Sequence, residues 1–183
     1  RTYGPIKRRG EAAGQHDQLA ARKAFRSVGP SQNRTPAAPP PSGPEYLLVD
    51  GYNVIFAWDE LKKIAAENLD AAHGLMDILC NYAGYRKCVP ILVFDAYRVK
   101  GAGREQETWH NLHVIYTREA ETADMFIERT THELAKNHRV RVVSSDGAEQ
   151  IIILGNGALR VSARAFEREV RAVEAEIREF LDQ

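Results

Sequence analysis

Short apolar runs alternate with longer amphipathic segments over residues 45–183, and this alternation is the main structural signal in the chain. Three segments with apolar residues at three- and four-residue spacing predict helices over 69–87, 122–137 and 163–181, the last with Phe180 and Leu181 on its apolar face. Five short runs have the composition of strands buried on both faces of a parallel sheet. They are Tyr46–Val49, Pro90–Phe94, Leu112–Tyr116, Val140–Ser144 and Ala158–Ser162. Together these elements predict an open α/β sheet with right-handed crossovers.

The first 44 residues have a different composition. Prolines and glycines are interspersed with Ser, Asn and Thr between Ser27 and Pro44, which is typical of a linker. Residues 1–44 hold eight Lys and Arg against two Asp and Glu, so a net charge of +6 faces −6 on the remainder. A basic arm of this kind favours contact with a polyanion, although a solubilising linker has the same composition. We expect a disordered, basic, proline-rich arm over 1–44 and one folded domain over 45–183.

Several classes of protein are excluded by what the sequence lacks. No stretch reaches the roughly 18 apolar residues of a membrane helix, so no membrane partner is expected. Two cysteines do not make a disulfide scaffold, and a cytoplasmic location is expected. The first strand is not followed by GxGxxG and the chain has no GxxxxGK[ST], which argues against a nucleotide cofactor. A haloacid-dehalogenase-like phosphatase would need a second aspartate where Tyr52 stands.

Acidic residues follow the strands at four points. Asp50 and Asp95 come directly after the first two runs, Asp146 comes shortly after the fourth, and Asp124 lies at the start of the helix after the third. Any one of them alone fits a turn former or helix cap. The carboxyl ends of parallel strands share one edge of the sheet, so four acids there are expected to cluster. Two carboxylates about 4 Å apart repel by about 4 kcal/mol at an effective dielectric of 20. The cluster therefore predicts bound Mg²⁺ or Mn²⁺ and phosphoester hydrolysis.

The motifs around these acids resemble a known family. The segment 49–55, Val-Asp-Gly-Tyr-Asn-Val-Ile, resembles the opening motif of NYN domains, a branch of the PIN-like nucleases. Segments 93–96, 99–101, 116–124 and 143–146 are similar to later motifs of the YacP-like subfamily, which includes a ribosome-associated endoribonuclease. The resemblance extends from about residue 45 to 182. It implies a PIN-like three-layer α/β/α sandwich around a central, mostly parallel sheet.

The resemblance also implies an activity, namely Mg²⁺- or Mn²⁺-dependent endoribonuclease cleavage that leaves a 5′-phosphate and a 3′-hydroxyl. The implied substrate is mRNA, with the ribosome as a partner. The catalytic positions that match the family are Asp50, Asn53, Asp95, Asp124 and Asp146, and the metal-binding positions are Asp50, Asp95, Asp124, Asp146 and Glu121. The alternative is a non-catalytic RNA- or ribosome-binding module on the same fold. The presence of all four main acids favours the enzyme.

A second group of residues lies between the second and third runs and predicts RNA contact. The loop 97–104 is basic and contains two glycines, and two aromatic residues follow it. The RNA-binding candidates are Arg98, Lys100, Arg104, Trp109 and His110. Basic groups beside stacking rings suit single-stranded or ribosomal RNA. A solvated loop with Trp109 packed beneath it fits the same residues equally well.

The first seven residues carry a separate resemblance. Arg-Thr-Tyr-Gly-Pro-Ile-Lys is similar to the closing segment of translation GTPases of the ribosomal-protection type. The resemblance implies that the chain is the C-terminal part of a fusion. A long linker would then keep the nuclease domain at high local concentration near a ribosomal target.

Overall fold

The structure is a computed structural model of the 183-residue chain, and it describes residues 41–67, 70–95, 105–144, 152–153 and 157–183. The predicted arm over 1–44 falls almost entirely outside these ranges. The boundary at residue 44 stays a prediction.

Seven strands and five helices make up the described part of the chain. The strands are β1 (Tyr46–Asp50), β2 (Val89–Phe94), β3 (Glu105–Trp109), β4 (Leu112–Tyr116), β5 (Val140–Ser144), β6 (Ile152–Ile153) and β7 (Leu159–Ser162). The helices are α1 (Gly51–Ala57), α2 (Asp59–Ala66), α3 (Ala71–Arg86), α4 (Ala123–Leu134) and α5 (Ala163–Leu181). All five predicted strands and all three predicted helices are present, with bounds within about three residues of those expected. The sequence reasoning did not find α1, α2, β3 or β6.

All seven strands form a single sheet in the order β3-β4-β2-β1-β5-β7-β6. The five central strands are parallel, whereas β3 and β6 pair antiparallel at the two sides. In this register Asp50 of β1 is paired with Val93 of β2, and Val49 with Val143 of β5. The ends of β4, β2, β1, β5 and β7 therefore share one edge, called here the carboxyl edge. Their starts form the opposite, amino edge.

Each face of the sheet has its own hydrophobic core. On one face α1, α2, α3 and α5 pack against residues such as Leu47, Val49 and Leu92. On the other face α4 packs against Leu48 and Val93. Alternate residues of each strand enter opposite cores, which requires apolar side chains at nearly every position. The expected α/β/α sandwich is confirmed, with four helices on one side and one on the other.

Polar side chains directly before four of the helices determine where those helices begin. Asp50, Asp70, Thr122 and Ser162 cap α1, α3, α4 and α5, each accepting from a backbone N–H three residues on. Such a cap satisfies one of the amide groups left without an intrahelical partner, and is typically worth about 1 kcal/mol. The cap at Asp50 starts α1 at the last residue of β1, so this aspartate belongs to both elements.

The last turn of α5 differs from what the sequence predicts. Phe180 and Leu181 were expected on the apolar face of α5 but are 73% and 74% exposed, because the last turn of α5 extends past the core that Val173 helps to form. None of the helices in the described ranges combines the length and apolar composition needed to cross a bilayer.

Candidate active site at the carboxyl edge

Asp50 lies at the centre of the carboxyl edge and is only 6% exposed. Asn53, one turn into α1, donates to both of its oxygens: the backbone N–H to Oδ1 at 3.3 Å and the side-chain amide to Oδ2 at 2.9 Å. A carboxylate offers about four lone-pair sites, so these two donors fix its orientation without exhausting its capacity to bind a cation. Asn53 therefore contacts Asp50 directly, and its catalytic role stays a prediction.

Close packing behind Asp50 requires glycine at the next position. A Cβ on residue 51 would lie 2.7 Å from Cδ1 of Phe94, well inside van der Waals contact. The first turn of α1 can therefore approach β2 only without a side chain at Gly51. The Asp-Gly pair brings the helix that carries Asn53 close to the end of the neighbouring strand.

Asp95 follows β2 and is tied to the start of α4. Its Oδ1 accepts a hydrogen bond from the backbone N–H of Ala123 at 2.5 Å, and the negative charge of the carboxylate strengthens this bond. Ala123 is the first residue of α4, where the helix dipole favours a negative group. The strand end and the helix start thus hold this carboxylate together.

The register of the sheet places Asp50 and Asp95 on the same face. Asp50 is paired with Val93, so the pleat directs the Asp50 side chain towards the face covered by α4. Asp95 comes just after β2 and reaches the same face through its hydrogen bond to the first residue of α4. Adjacent strands about 4.8 Å apart and a step of two residues put their Cα atoms about 8 Å apart. Two aspartates at this separation can bind one ion between them.

The two other acids near this edge have different surroundings. Asp124 is exposed in the first turn of α4, one residue after the amide that holds Asp95. Glu121 lies in the turn before the helix, and its carboxylate is 2.6 Å from the guanidinium of Arg129. The structure brings Asp124 to the edge, whereas Glu121 forms an ion pair with Arg129.

A cavity of about 410 Å³ opens beside these acids, between α4 and strands β5 and β7. Asp124 lines it, as do Ser144 at the end of β5 and Arg160 of β7, whose Nε donates to Ser144 Oγ at 3.0 Å. Arg160 therefore adds a cationic side chain to a cavity that Asp124 and Glu128 also line. Neither Ser144 nor Arg160 is among the site residues predicted from the sequence.

The donor chemistry fits Mg²⁺ or Mn²⁺, which prefer carboxylate oxygens. No group of three His, Cys, Asp or Glu side chains is placed to hold a metal ion within the ranges that the structure describes. Magnesium sites commonly use only one or two carboxylates and complete the shell with water and substrate phosphates. Asp50 and Asp95 meet that requirement. The fourth predicted acid, Asp146, lies outside the described residues, so its place at this edge stays a prediction.

Of the predicted RNA-binding group, two residues can be located. Arg98, Lys100 and Arg104 lie outside the described ranges. Trp109 ends β3 and His110 begins the turn into β4, with a positive φ of 53°. Because β3 runs antiparallel to β4, this turn lies at the amino edge. The structure therefore does not bring Trp109 and His110 next to Asp50 and Asp95.

Trp109 packs partly against the core near α3. Its ring centroid lies 5.2 Å from that of His73 and 5.5 Å from that of His110. Such packing is what the alternative interpretation, in which Trp109 has a structural role, would require. Contact between Trp109 and RNA stays a prediction.

An ionic network ties α3, β5 and α5 together at the amino edge. The Tyr82 hydroxyl donates to Glu169 at 2.6 Å, and Arg141 donates to Glu169 at 2.7 Å and to the Tyr82 oxygen at 2.6 Å. Burial alone would raise the pKa of Glu169, but hydrogen bonds from Arg141 and Tyr82 outweigh it and lower that pKa. Burial, followed by the hydrogen bond to Glu169, raises the pKa of Tyr82 above its ordinary value. This network links three elements at the amino edge, the edge of the sheet opposite the one that carries Asp50 and Asp95.

Comparisons with known proteins agree with this architecture. The family model of the YacP-like NYN domain matches residues 47–183. The protein YacP of Bacillus subtilis strain 168 is 43% identical over 135 residues, which cover 73% of this chain and 79% of that protein. A crystal structure of Rae1 (YacP) from Bacillus subtilis matches with a TM-score of 0.62 and 41% identity, covering 75% of this chain and 79% of that one. A mutant of the same protein matches with a TM-score of 0.59 and 39% identity, over 73% and 79% of the two chains.

The family expected from the motifs is therefore confirmed, whereas the resemblance of residues 1–7 to a translation GTPase stays a prediction. NYN domains are PIN-like nucleases, and this supports an RNA-related function. The chain belongs to the YacP-like NYN family.

Proposed function

We propose that this chain is a metal-dependent endoribonuclease that hydrolyses RNA phosphodiester bonds. The observation that carries the proposal is the pair of carboxylates at the carboxyl edge. Asp50 is fixed by Asn53 and Asp95 by the first amide of α4, on neighbouring strands and the same face. Because the family consists of PIN-like nucleases, phosphodiester hydrolysis is the reaction that we assign to this pair.

The position of each residue suggests its role. Asp50 and Asp95 would hold Mg²⁺ or Mn²⁺, with Asp124 and Asp146 as the further acids. Glu121 would have to release Arg129, its ion-pair partner, to join them. When bound, such an ion lowers the pKa of water and neutralises charge on phosphoryl oxygens. Asn53 keeps the Asp50 carboxylate from rotating as the substrate binds. Preorganised groups of this kind need no rearrangement during the reaction.

We further propose that the substrate is mRNA and that it is cleaved on the ribosome. Three features support this: the resemblance to a subfamily with a ribosome-associated endoribonuclease, the net charge of +6 on residues 1–44, and the basic loop 97–104. A polycationic segment attracts any RNA, so these features favour a large RNA assembly without identifying it.

The test is a cleavage assay on a defined mRNA, with and without ribosomes. We expect Asp95→Asn to lower the cleavage rate by at least 100-fold, because it removes one of two charged ligands and leaves the hydrogen-bond acceptor in place. Asp77→Asn, an exposed aspartate in α3, is the matched control and should cleave like the wild type. Retained cleavage in Asp95→Asn would contradict the mechanism. Binding to RNA without any cleavage by the wild type would favour the non-catalytic module instead.

A further inference from the structure

A cavity of about 290 Å³ opens at the amino edge, the edge opposite the candidate active site, and is called here the amino-edge cleft. Three exposed basic residues line it: Arg86 and Lys87 come shortly before β2, and Arg139 comes directly before β5. Because β1 lies between these two strands and pairs in parallel with both, their starts are held close together. The sheet therefore brings to one place three cations that are distant in the sequence.

The carboxylates in the amino-edge cleft are already engaged by a fourth cation. Glu45 lies 3.2 Å from Nε of Arg141, and Glu169 lies 2.7 Å from Nη1 of the same guanidinium. Within the ranges that the structure describes, Lys87 forms no ion pair, and Arg86 acts on Glu169 only at longer range. Four cations and two carboxylates line the cleft, which gives it a net charge of +2 on a domain whose net charge is −6.

The backbone at Lys87 indicates a role for its side chain. Lys87 ends α3 in the left-handed conformation, with φ at 55° and ψ at 44°. Glycine adopts this conformation readily and is common where a helix ends in this way. Strained positions of this kind are concentrated at functional sites. A cation at this end of α3 also favours the helix dipole, so the structural role and the ligand-binding role need separate measurements.

The N-terminal segment joins the folded domain beside the cleft. Nη2 of Arg139 donates to the carbonyl oxygen of Gly43 at 2.7 Å, and the guanidinium has further N–H groups for a ligand. Residues 1–44 carry a net charge of +6, and their covalent attachment at this point tethers that charge to the domain next to the cleft. Positive charge from the cleft and from the segment can therefore act on the same polyanion.

We propose that the amino-edge cleft binds the phosphate backbone of a folded RNA at a second site, separate from the site of cleavage. Arg86, Lys87 and Arg139 contact the phosphates, whose geometry the guanidinium fork matches. The five residues of β1 span about 13 Å between the two edges, so the cleft does not hold the phosphate that is cleaved. This inference rests on the proposed RNA substrate, and it adds that the RNA is large enough to reach both edges of the sheet.

The test measures binding of a labelled RNA hairpin to the full chain in chelator, by fluorescence anisotropy. Arg86→Gln combined with Lys87→Gly removes two charges from the cleft, and Lys62→Gln combined with Lys63→Gln removes two exposed charges from α2 as the matched control. Each phosphate contact contributes about eightfold to affinity at 0.1 M relative to 1 M salt. The cleft variant should therefore raise Kd by at least about tenfold and lower the slope of log Kd against log salt by about two. The control should change neither.

Further measurements separate RNA binding from folding and from other anions. Arg139→Gln should lower the salt slope by about one. Glycine favours the backbone conformation at position 87, so the variant with Lys87→Gly should keep the Tm of the wild type. In cleavage with Mg²⁺ this variant should raise KM and keep kcat, because the cleft is remote from the two carboxylates. Polyglutamate or inorganic phosphate at matched ionic strength should displace the hairpin far less than unlabelled RNA does.

The proposal is overturned if the cleft variant and its control change Kd and the salt slope equally, if the hairpin does not bind saturably, or if polyglutamate or inorganic phosphate competes as well as RNA. Should the variant with Lys87→Gly lose Tm, Arg139→Gln decides, and an unchanged Kd in that variant overturns the proposal. Failure of the ribonuclease function gives a different result. An active enzyme with the same KM in the cleft variant loses the second site alone, whereas a chain that binds the hairpin through the cleft and never cleaves RNA loses the catalytic proposal alone.

Discussion

Replacing Asp50 by asparagine isolates the charge of this residue from its role in the fold. Asparagine caps helices as well as aspartate does, so the bond from the Asn53 backbone is kept. The bond from the Asn53 side chain at 2.9 Å loses its charged acceptor, at a cost of about 1.5–3 kcal/mol. Repulsion between the carboxylates of Asp50 and Asp95, about 2–4 kcal/mol for charges about 4–8 Å apart at an effective dielectric of 20, is removed at the same time. The two terms nearly cancel, and we expect Asp50→Asn to change the free energy of unfolding in chelator by about 1 kcal/mol or less.

The stabilisation by a divalent ion should differ far more between the wild type and Asp50→Asn. An ion present at 100 times its Kd stabilises the folded state by about 2.7 kcal/mol. For a folded region of this size, 1 kcal/mol corresponds to about 2–4 °C, so Mg²⁺ should raise the Tm of the wild type by roughly 5–11 °C. Asp50→Asn should show little of this rise, because one of the two charged ligands is gone.

The assay is thermal unfolding followed by circular dichroism, in chelator and in a series of Mg²⁺ concentrations at constant ionic strength. Asp77→Asn serves as the control for removal of an exposed aspartate and should keep the full rise in Tm. Equal rises in the wild type and Asp50→Asn would refute the assignment of Asp50 as a ligand. A large loss of Tm for Asp50→Asn in chelator would refute the near cancellation of the two terms.

Two further predictions concern the fold. Gly51→Ala should lower the free energy of unfolding by about 1–3 kcal/mol, because the new methyl group overlaps the Phe94 ring, and chemical denaturation measures this loss. Glu169→Gln should lower it by about 1–2 kcal/mol, since Glu169 is only partly buried against Arg141 and Tyr82. The folded-state pKa of Glu169 is lowered, so its contribution is present above the ordinary glutamate pKa and is lost as the pH falls through the folded value. Denaturation curves that differ equally at pH 7 and pH 3 would contradict this account.

Most of the central sheet could be predicted from the sequence because its strands are buried on both faces. The runs at Tyr46–Val49 and Pro90–Phe94 are apolar throughout, and burial against helices on both sides requires that composition. β3, in contrast, was missed because Glu105–Trp109 is mainly polar. An edge strand with an exposed face has no apolar run to reveal it. Helices α1 and α2 were missed because each is at most eight residues long, too short for a clear periodic pattern.

The candidate site could likewise be predicted only in part from the sequence. Asp50 and Asp95 could be predicted to lie at one edge of the sheet, because position at a strand end determines the edge. Trp109 and His110 follow a basic loop that comes after Asp95 in the sequence. Because β3 runs antiparallel to β4, its end lies at the amino edge and places both residues there.

Direct titration of Mn²⁺, followed by electron paramagnetic resonance, tests the central claim that Asp50 and Asp95 bind the ion that supports RNA cleavage. The account predicts saturable binding to the wild type and to Asp77→Asn, binding weakened at least tenfold in Asp50→Asn and Asp95→Asn, and a cleavage rate that rises with occupancy of the site. Unchanged Mn²⁺ binding in both variants, or full cleavage in the presence of a chelator, would contradict it.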